Sequence, residues 1–451
     1  MITIANICFG TIDSDGKIGY APIGTLYIIQ ALENAGIEVD FRNYLEEYPI
    51  LDTPKSIQTL VNFLENSENN LFISCNSATL PYVIIACNKL KEKNSSQKII
   101  LGGLGPTGVA KEILNTFSCI DIVVLGEGEA ATTHLVQNNF DNLSEINGIF
   151  YRDKNNQIQM NPRAQRIQDL DNLLPAYHKI NPNAYSIFGI VSSRGCPCKC
   201  TYCGEEYFWG NGNVKRSPQN IIQEIQFLHE KYGQCRFEFV DDTFVLNKKR
   251  VIEFCNLIQQ KNLNIEWNFN GLINLMDDDI FQAVSGSGCY EIFYGVESAS
   301  DRILKTLNKQ YSIEQADKVI EKSLQYVDVV LSFIWGFPFE TKEDLIKTLE
   351  YINQVKETKA KFWLFPLTPV PMSLVYEQNK HQLAFYEETI DEGMDKEVLD
   401  IVLKYPEIFP GYYFYNSPNF QELNQIVNSF ESVDYNAQSV FVDGLIVPRN
   451  S

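Results

Sequence analysis

The segment Ser193-Arg194-Gly195-Cys196-Pro197-Cys198-Lys199-Cys200-Thr201-Tyr202-Cys203 decides how this chain is read, because it crowds four of its 11 cysteines into eight positions. Cys196, Cys200 and Cys203 are spaced Cys-x3-Cys-x2-Cys. Three thiolates on one short loop can hold three irons of a four-iron four-sulfur cluster and leave the fourth iron open to a chelating ligand. The alternative is a zinc knuckle, in which Cys198 completes a set of four ligands. Structural zinc, however, normally staples a small domain that lacks a core, and this loop lies inside a large one. The spacing therefore predicts Cys196, Cys200 and Cys203 as cluster ligands, with Cys198 a bystander or a substitute for a neighbour.

Downstream of this loop, and including the strand that leads into it, short apolar runs predict strands at Ile187–Ser192, Cys235–Val240, Ile265–Asn270, Tyr290–Val296, Val327–Trp335 and Phe362–Leu367. Helical patterns separate them, for instance Pro218–Lys231 behind the N-cap Ser217. Six such units predict a partial or complete (β/α) barrel with its chemistry at the strands' carboxyl ends.

Upstream, the same alternation predicts a Rossmann-like, doubly wound domain with strands Ile2–Phe9, Ile37–Asn43, Leu71–Cys75, Lys98–Gly102 and Ile120–Leu125. Helices are expected over Gly24–Ala35, Lys55–Leu64, Leu80–Lys91 and Val109–Thr116. Ligands of such sheets sit at strand ends, and here those turns are small and polar: Ser74-Cys75-Asn76-Ser77-Ala78, Gly102-Gly103-Leu104-Gly105-Pro106-Thr107 and Gly126-Glu127-Gly128-Glu129. Gly148–Arg152 and Gln157–Met160 read as a hairpin, and Asn161–Asn183 as a linker. The expected division is an N-terminal domain over 1–145, hairpin and linker over 146–184, barrel over 185–375 and a mainly helical C-terminal region over 376–451, where substrate contacts are expected. In that last region the aromatic run Tyr405–Tyr415 fits packing better than recognition.

Composition narrows the classes. A length of 451 residues exceeds one core, and 45% hydrophobic with 21% charged residues describes a folding chain. A net charge of −20 without any basic run disfavours nucleic acid. With no cationic segment ahead of the apolar start, and no apolar run approaching the roughly 18 residues of a membrane span, the cytoplasm is expected. The remaining cysteines, at 8, 75, 87, 119, 235, 255 and 289, fall in apolar segments and read as small buried hydrophobes. None follows Cys289, so a further cluster in the C-terminal part is excluded on ligand grounds.

With Tyr202 just before its last cysteine, the loop resembles the signature of the radical S-adenosylmethionine (SAM) superfamily. Further segments follow in the expected order: Phe239-Val240-Asp241-Asp242-Thr243-Phe244, Gly295-Val296-Glu297-Ser298 and Trp335-Gly336-Phe337-Pro338-Phe339-Glu340-Thr341. The resemblance implies a cluster whose open iron chelates SAM, and reductive cleavage to a deoxyadenosyl radical that abstracts hydrogen from an unactivated carbon. It also implies SAM contacts from Asp241, Glu297, Ser298 and Gly336, with Tyr202 near adenine. Taken singly, these residues read equally well as helix caps and turns.

The domain order, the Gly102-Gly103 and Gly126-Glu127-Gly128-Glu129 turns and the helix entry Pro22-Ile23-Gly24-Thr25-Leu26 resemble cobalamin-binding radical SAM enzymes. That likeness implies cobalamin against Gly24, Thr25, Ser74, Asn76, Gly102, Gly103, Gly126, Glu127 and Gly128, where the absence of a Cβ allows close backbone approach. No Asp-x-His-x-x-Gly segment occurs, and the first histidine is His134, so a lower-ligand histidine is not expected. The implied reaction is methyl transfer to a peptide or small molecule, with flavodoxin or ferredoxin as electron donor. A rearrangement, cyclisation or epimerisation, a methylthiotransferase-like reaction, a vestigial N-terminal domain and a non-enzymatic zinc protein are the competing readings.

Overall fold

The six residues of Ile2–Ile7 are all buried, the mark of a strand covered on both faces. In the computed structural model, which describes residues 1–8, 16–48, 57–389, 393–416, 420–430, 441–442 and 445–446, this strand sits inside the first of two large sheets. Its neighbours run Val39–Asn43, Ile2–Ile7, Asn70–Cys75, Lys98–Gly102 and Ile122–Val124, all parallel. The hairpin strands Ile149–Arg152 and Ile158–Met160 extend this sheet antiparallel. Strand order reverses beside Ile2–Ile7, which opens a crevice at the carboxyl ends.

The second sheet is parallel throughout, in the order Lys361–Pro366, Asp328–Trp335, Cys289–Glu297, Glu266–Gly271, Arg236–Phe239, Tyr185–Ile190 and Ile18–Tyr20. Its first and last strands do not pair with each other, so it is a partial barrel. Helices such as Pro218–Tyr232 and Lys248–Gln260 cover its convex side over an aromatic core in which Trp267 and Phe239 stand 5.4 Å apart.

Every expected strand exists within two residues at each end. The end of the first, Phe9, and the start of one helix, Lys55 and Ser56, lie outside the described residues. Ile18–Tyr20 was not foreseen: three residues are too short to show a period, yet they pair with Tyr185–Ile190 and complete the barrel edge.

Two other expectations change. The stretch read as a linker is packed, with Leu170, Ala176 and Tyr177 buried, and its Arg166 donates to the carbonyls of Arg194 and Gly212. Of the seven scattered cysteines, Cys75, Cys87, Cys119, Cys255 and Cys289 are buried, but Cys235 is exposed and Cys8 only partly covered. Cys235 lies just ahead of its strand rather than within it.

The C-terminal region is mainly helical, with Leu374–Asn379, Lys396–Lys404 and Phe420–Ser429. It folds back onto the N-terminal domain: Tyr405 packs on Phe117 at 5.2 Å, and the buried Tyr412 hydroxyl donates to the Ala78 carbonyl at 2.6 Å. The aromatic run is therefore packing.

Candidate functional site

The cysteine loop leaves the first barrel strand through Ser193 and Arg194, which pair antiparallel with Val214 and Lys215. Gly195 follows with φ +86°, and a Cβ there would stand 2.5 Å from the Gly212 carbonyl, so the turn into the loop requires glycine. Cys196, Cys198, Cys200 and Cys203 are each partly covered and free of disulfides. The Thr243 hydroxyl donates to Cys196 Sγ at 3.0 Å. A hydrogen bond from Cys198 brings the Cys196 thiol down to about 6, while burial pushes Cys203 up to about 12. Of the two bonded thiols, Cys196 is thus lowered and Cys198 raised. Among the described residues no three His, Cys, Asp or Glu side chains converge on a single-ion site. Cys196, Cys200 and Cys203, on one short loop at Cys-x3-Cys-x2-Cys spacing, suit three separate irons of a cluster.

Glu297 turns towards this loop. A bulge between Gly295 and Glu297 and a φ of +68° at Glu297 break the strand's alternation. Such left-handed backbone in a bulky residue persists only where its surroundings enforce it. Here the Tyr202 hydroxyl donates to Glu297 Oε1 at 2.7 Å and Lys309 Nζ donates to the same oxygen at 2.8 Å. Burial pulls the Lys309 ammonium down, but the Glu297 carboxylate together with Tyr202, Tyr311 and Cys200 more than offsets it, so the lysine stays charged. Lys309 was missed, since no spacing in Lys309-Gln310-Tyr311 marks it.

Asp241 is fully enclosed and occupied: the Ser192 amide donates to Oδ1 at 2.6 Å, and the hydroxyls of Ser192 and Ser193 donate to Oδ2. The carboxylate facing the cysteine loop is its neighbour Asp242, whose Oδ2 accepts the Gly195 amide at 3.0 Å. Burial, with the Glu205 carboxyl nearby, pushes Asp242 up to about 8. Ser298 is buried and bonded to the Thr348 hydroxyl at 3.1 Å. Gly336, at φ +86°, donates its amide to Glu340 at 2.6 Å. The structure thus brings Tyr202 and Glu297 to the cysteines. Asp241 and Ser298 brace the backbone behind them.

All nine residues expected around cobalamin line one cleft of about 360 Å³ at the carboxyl ends of the first sheet. Gly103 and Gly126 have structural reasons of their own: each is at positive φ, and a Cβ would approach the Cys75 and Phe208 carbonyls to 2.7 and 2.6 Å. Gly24 does not, for its Cβ would meet nothing within 4 Å; there the open backbone cradles whatever fills the cleft. Thr25 donates to Asn6 at 3.1 Å, and Asn76 accepts the Thr79 amide at 3.0 Å. Among the described residues no histidine lines the cleft, and His134 is exposed. These apolar walls and bare backbone fit a broad, flat group.

The far wall comes from the second domain, through Arg194, Phe208 and Trp209. Arg194 is 4% exposed and pairs with Glu127 at 2.9 Å and with Glu129 at 2.8 Å. Its guanidinium also stands over Tyr27 at 4.8 Å and Trp209 at 5.6 Å. A basic residue next to the cysteines and a paired-acid turn in the other domain were both visible in the sequence, but nothing there joined them.

Residues 190–352 match the family model of the radical SAM superfamily, and residues 17–136 that of the B12 binding domain. The chain thus carries a radical SAM domain with a B12-binding domain ahead of it. It is similar to an uncharacterized methyltransferase from Pyrococcus horikoshii, 31% identical over 296 residues that make up 64% of each chain. It is also similar to the anaerobic magnesium-protoporphyrin IX monomethyl ester cyclase of Rubrivivax gelatinosus, 27% identical over 64% of this chain and 54% of that one. The alignments thus span less than two thirds of either relative. The radical SAM methyltransferase TsrM from Kitasatospora setae, solved with cobalamin and an iron–sulfur cluster bound, superposes with a TM-score of 0.73 at 14% identity, over 100% of this chain and 92% of that one. The cobalamin-dependent radical SAM enzyme OxsB gives 0.69 at 14% identity, over 95% and 66%. These two likenesses establish the fold.

Proposed function

We propose that this chain is a cobalamin-dependent radical SAM methyltransferase that methylates an unactivated carbon of a small-molecule or peptide substrate. The observation that carries the reading is Arg194, which leads directly into the cysteine loop and yet forms a wall of the glycine-lined cleft. When bound, the cluster supplies the electron that cleaves SAM to a radical, and cobalamin supplies a transferable methyl group. Cys196, Cys200 and Cys203 hold the cluster, and the Thr243 hydroxyl bonds the first sulfur. Tyr202, Glu297 and Lys309 form the polar wall on which SAM is oriented, with Asp241, Ser298 and Gly336 fixing the strand ends behind it. Gly24, Thr25, Ser74, Asn76, Gly102, Gly103, Gly126, Glu127 and Gly128 seat the corrin.

The division at 1–145, 146–184, 185–375 and 376–451 belongs to the same reading, as do cytoplasmic residence, no nucleic-acid partner and a flavodoxin- or ferredoxin-type electron donor. No helix among the described residues is long and apolar enough to cross a membrane. The methyltransferase named in Pyrococcus horikoshii supports methyl transfer. The cyclase of Rubrivivax gelatinosus favours a second reading, in which the same radical closes a ring without methylation. Methyl-deuterated SAM separates them: labelled product together with deoxyadenosine supports methyl transfer, and deoxyadenosine with an unlabelled, cyclised product supports the second reading.

A further inference from the structure

The concave face of the barrel sheet is not closed off as its convex face is. Phe237, Phe239, Trp267 and Phe269 are buried under the helices, while the residues alternating with them, Glu238, Val240, Asn268 and Asn270, look the other way and keep part of their surface. Large apolar side chains stay open on that face too: Val240 and Trp363 are exposed, and Trp363 packs on Phe293 at 5.4 Å.

Register sets Glu238, Asn268 and Glu291 side by side on three adjacent strands. The Tyr20 hydroxyl, from the edge strand Ile18–Tyr20, donates to Glu238 Oε2 at 2.9 Å, and Asn268 Nδ2 donates to the same oxygen at 3.5 Å. Glu238 Oε1 accepts no bond from a described residue, and Asn268 Oδ1 is buried without a partner. Glu291 is paired with Lys361 at 3.3 Å and Arg236 stands over the Tyr290 ring at 4.6 Å, so neither cation pairs with Glu238. Burial and the Glu291 charge raise the Glu238 carboxyl above its ordinary range, against the pull of Tyr20, Asn268 and Arg236. A cation brought alongside such an acid favours its charged form. Two free acceptors on strands ~4.8 Å apart suit a group that offers at least two N–H bonds.

We propose that Glu238 and Asn268 receive a cationic nitrogen group of the substrate, a protonated amine, amidine or guanidine. The inference rests on the methyltransferase reading above, since it names what that substrate carries. Asn268 lies two residues, about 7 Å, before Asn270, whose side-chain amide donates to the Asp241 carbonyl at 3.3 Å where the strands end. A substrate held by its charged end inside the barrel therefore directs its next atoms towards the strand exits, where the cysteine loop lies. A carboxylate or phosphate is repelled by Glu238 and Glu291.

The test titrates the full-length protein, anaerobically reconstituted, with its cluster oxidised and saturated with SAM so that the SAM pocket is closed to the probe. The probes are benzamidine, benzamide and benzoate, which share one outline and are cationic, neutral and anionic, followed by isothermal calorimetry at neutral pH. The expected result is saturable one-to-one binding of benzamidine, at least tenfold weaker binding of benzamide and none of benzoate. Glu238→Gln brings benzamidine down to the level of benzamide with iron content and SAM binding retained. Asn268→Leu, which leaves the carboxylate in place, weakens benzamidine several-fold and serves should Glu238→Gln disturb folding. Equal binding of benzamidine and benzamide, no saturable binding of benzamidine, or benzamidine binding indifferent to both substitutions overturns the proposal. Because the titration involves no turnover, a chain that selects benzamidine in this way yet transfers no methyl label refutes the methyltransferase reading alone.

Discussion

Arg194 and Glu127 form an ion pair of 2.9 Å across the boundary between the two domains, with both side chains nearly closed off from solvent. The pair fastens the turn after the fifth strand of the first sheet to the residue that precedes Gly195 and Cys196. Glu129 takes the other arm of the guanidinium at 2.8 Å, and Arg166 approaches Glu127 from the packed linker at 3.7 Å. Any movement of the Gly126–Glu129 turn is thereby passed to the cysteine loop.

Arg194→Gln leaves two buried carboxylates without their main cation. It is expected to destabilise the chain by about 3–5 kcal/mol and to weaken cobalamin binding, read by denaturant unfolding and by equilibrium dialysis. Adding Glu127→Gln and Glu129→Gln to it is expected to restore most of the stability, since no uncompensated charge remains. Failure of the triple variant to recover would show that the three act through shape rather than charge.

Cys196→Ala, Cys200→Ala and Cys203→Ala are each expected to lose iron and sulfide after anaerobic reconstitution, whereas Cys198→Ala keeps both. The hydrogen bond from Cys198 to Cys196 makes this a demanding test. Iron loss from Cys198→Ala as complete as from Cys200→Ala would move Cys198 into the ligand set.

Lys309→Met removes the buried cation beside Glu297. SAM cleavage is expected to fall at least tenfold, because the freed carboxylate repels the carboxylate of SAM and Tyr202 loses its fixed acceptor. Iron and sulfide content should be unchanged, as Lys309 is not among the residues expected to hold the cluster. Glu297→Ala is expected to act in the same direction, and unaltered cleavage in both variants would remove this pair from the SAM pocket.

Glu340 gives a pH dependence. Burial pushes its carboxyl up to about 8, against the amides of Gly336 and Phe337, which pull it down. A carboxyl raised in the folded state favours folding while protonated, so its contribution is complete below its ordinary value of 4.5 and is lost as pH rises towards 8. Over that window each pH unit costs about 1.4 kcal/mol. Glu340→Gln, with the same outline, is expected to flatten the decline in melting temperature between pH 6 and 8. A parallel decline in both proteins would locate the dependence elsewhere.

The strands were legible because both sheets are parallel and covered, so each strand is a short apolar run between punctuating turns. Lys98–Gly102 came out as expected residue for residue. The cysteine triad could be proposed because its members are adjacent in sequence, and the nine residues that line the cleft because they fall at the strand ends of a parallel sheet. Lys309, Arg194 and Asp242 were not assigned roles, since what makes each matter is a partner brought from elsewhere in the chain: Glu297, the Glu127 and Glu129 pair, and the Gly195 amide. Asp241 and Ser298 show the converse, because residues beside a site in sequence can be spent on holding its backbone.

The strand Ile18–Tyr20 sets an order of events during synthesis. Its partner Tyr185–Ile190 leaves the ribosome on the order of ten seconds later at ~5–20 residues per second. The first sheet, to which Ile18–Tyr20 does not belong, has all its strands by Met160 and can close in that interval. Until then Ile18–Tyr20 is without its partner strand. A barrel expressed without the N-terminal residues would start from a bare edge, free to pair with a second copy of itself.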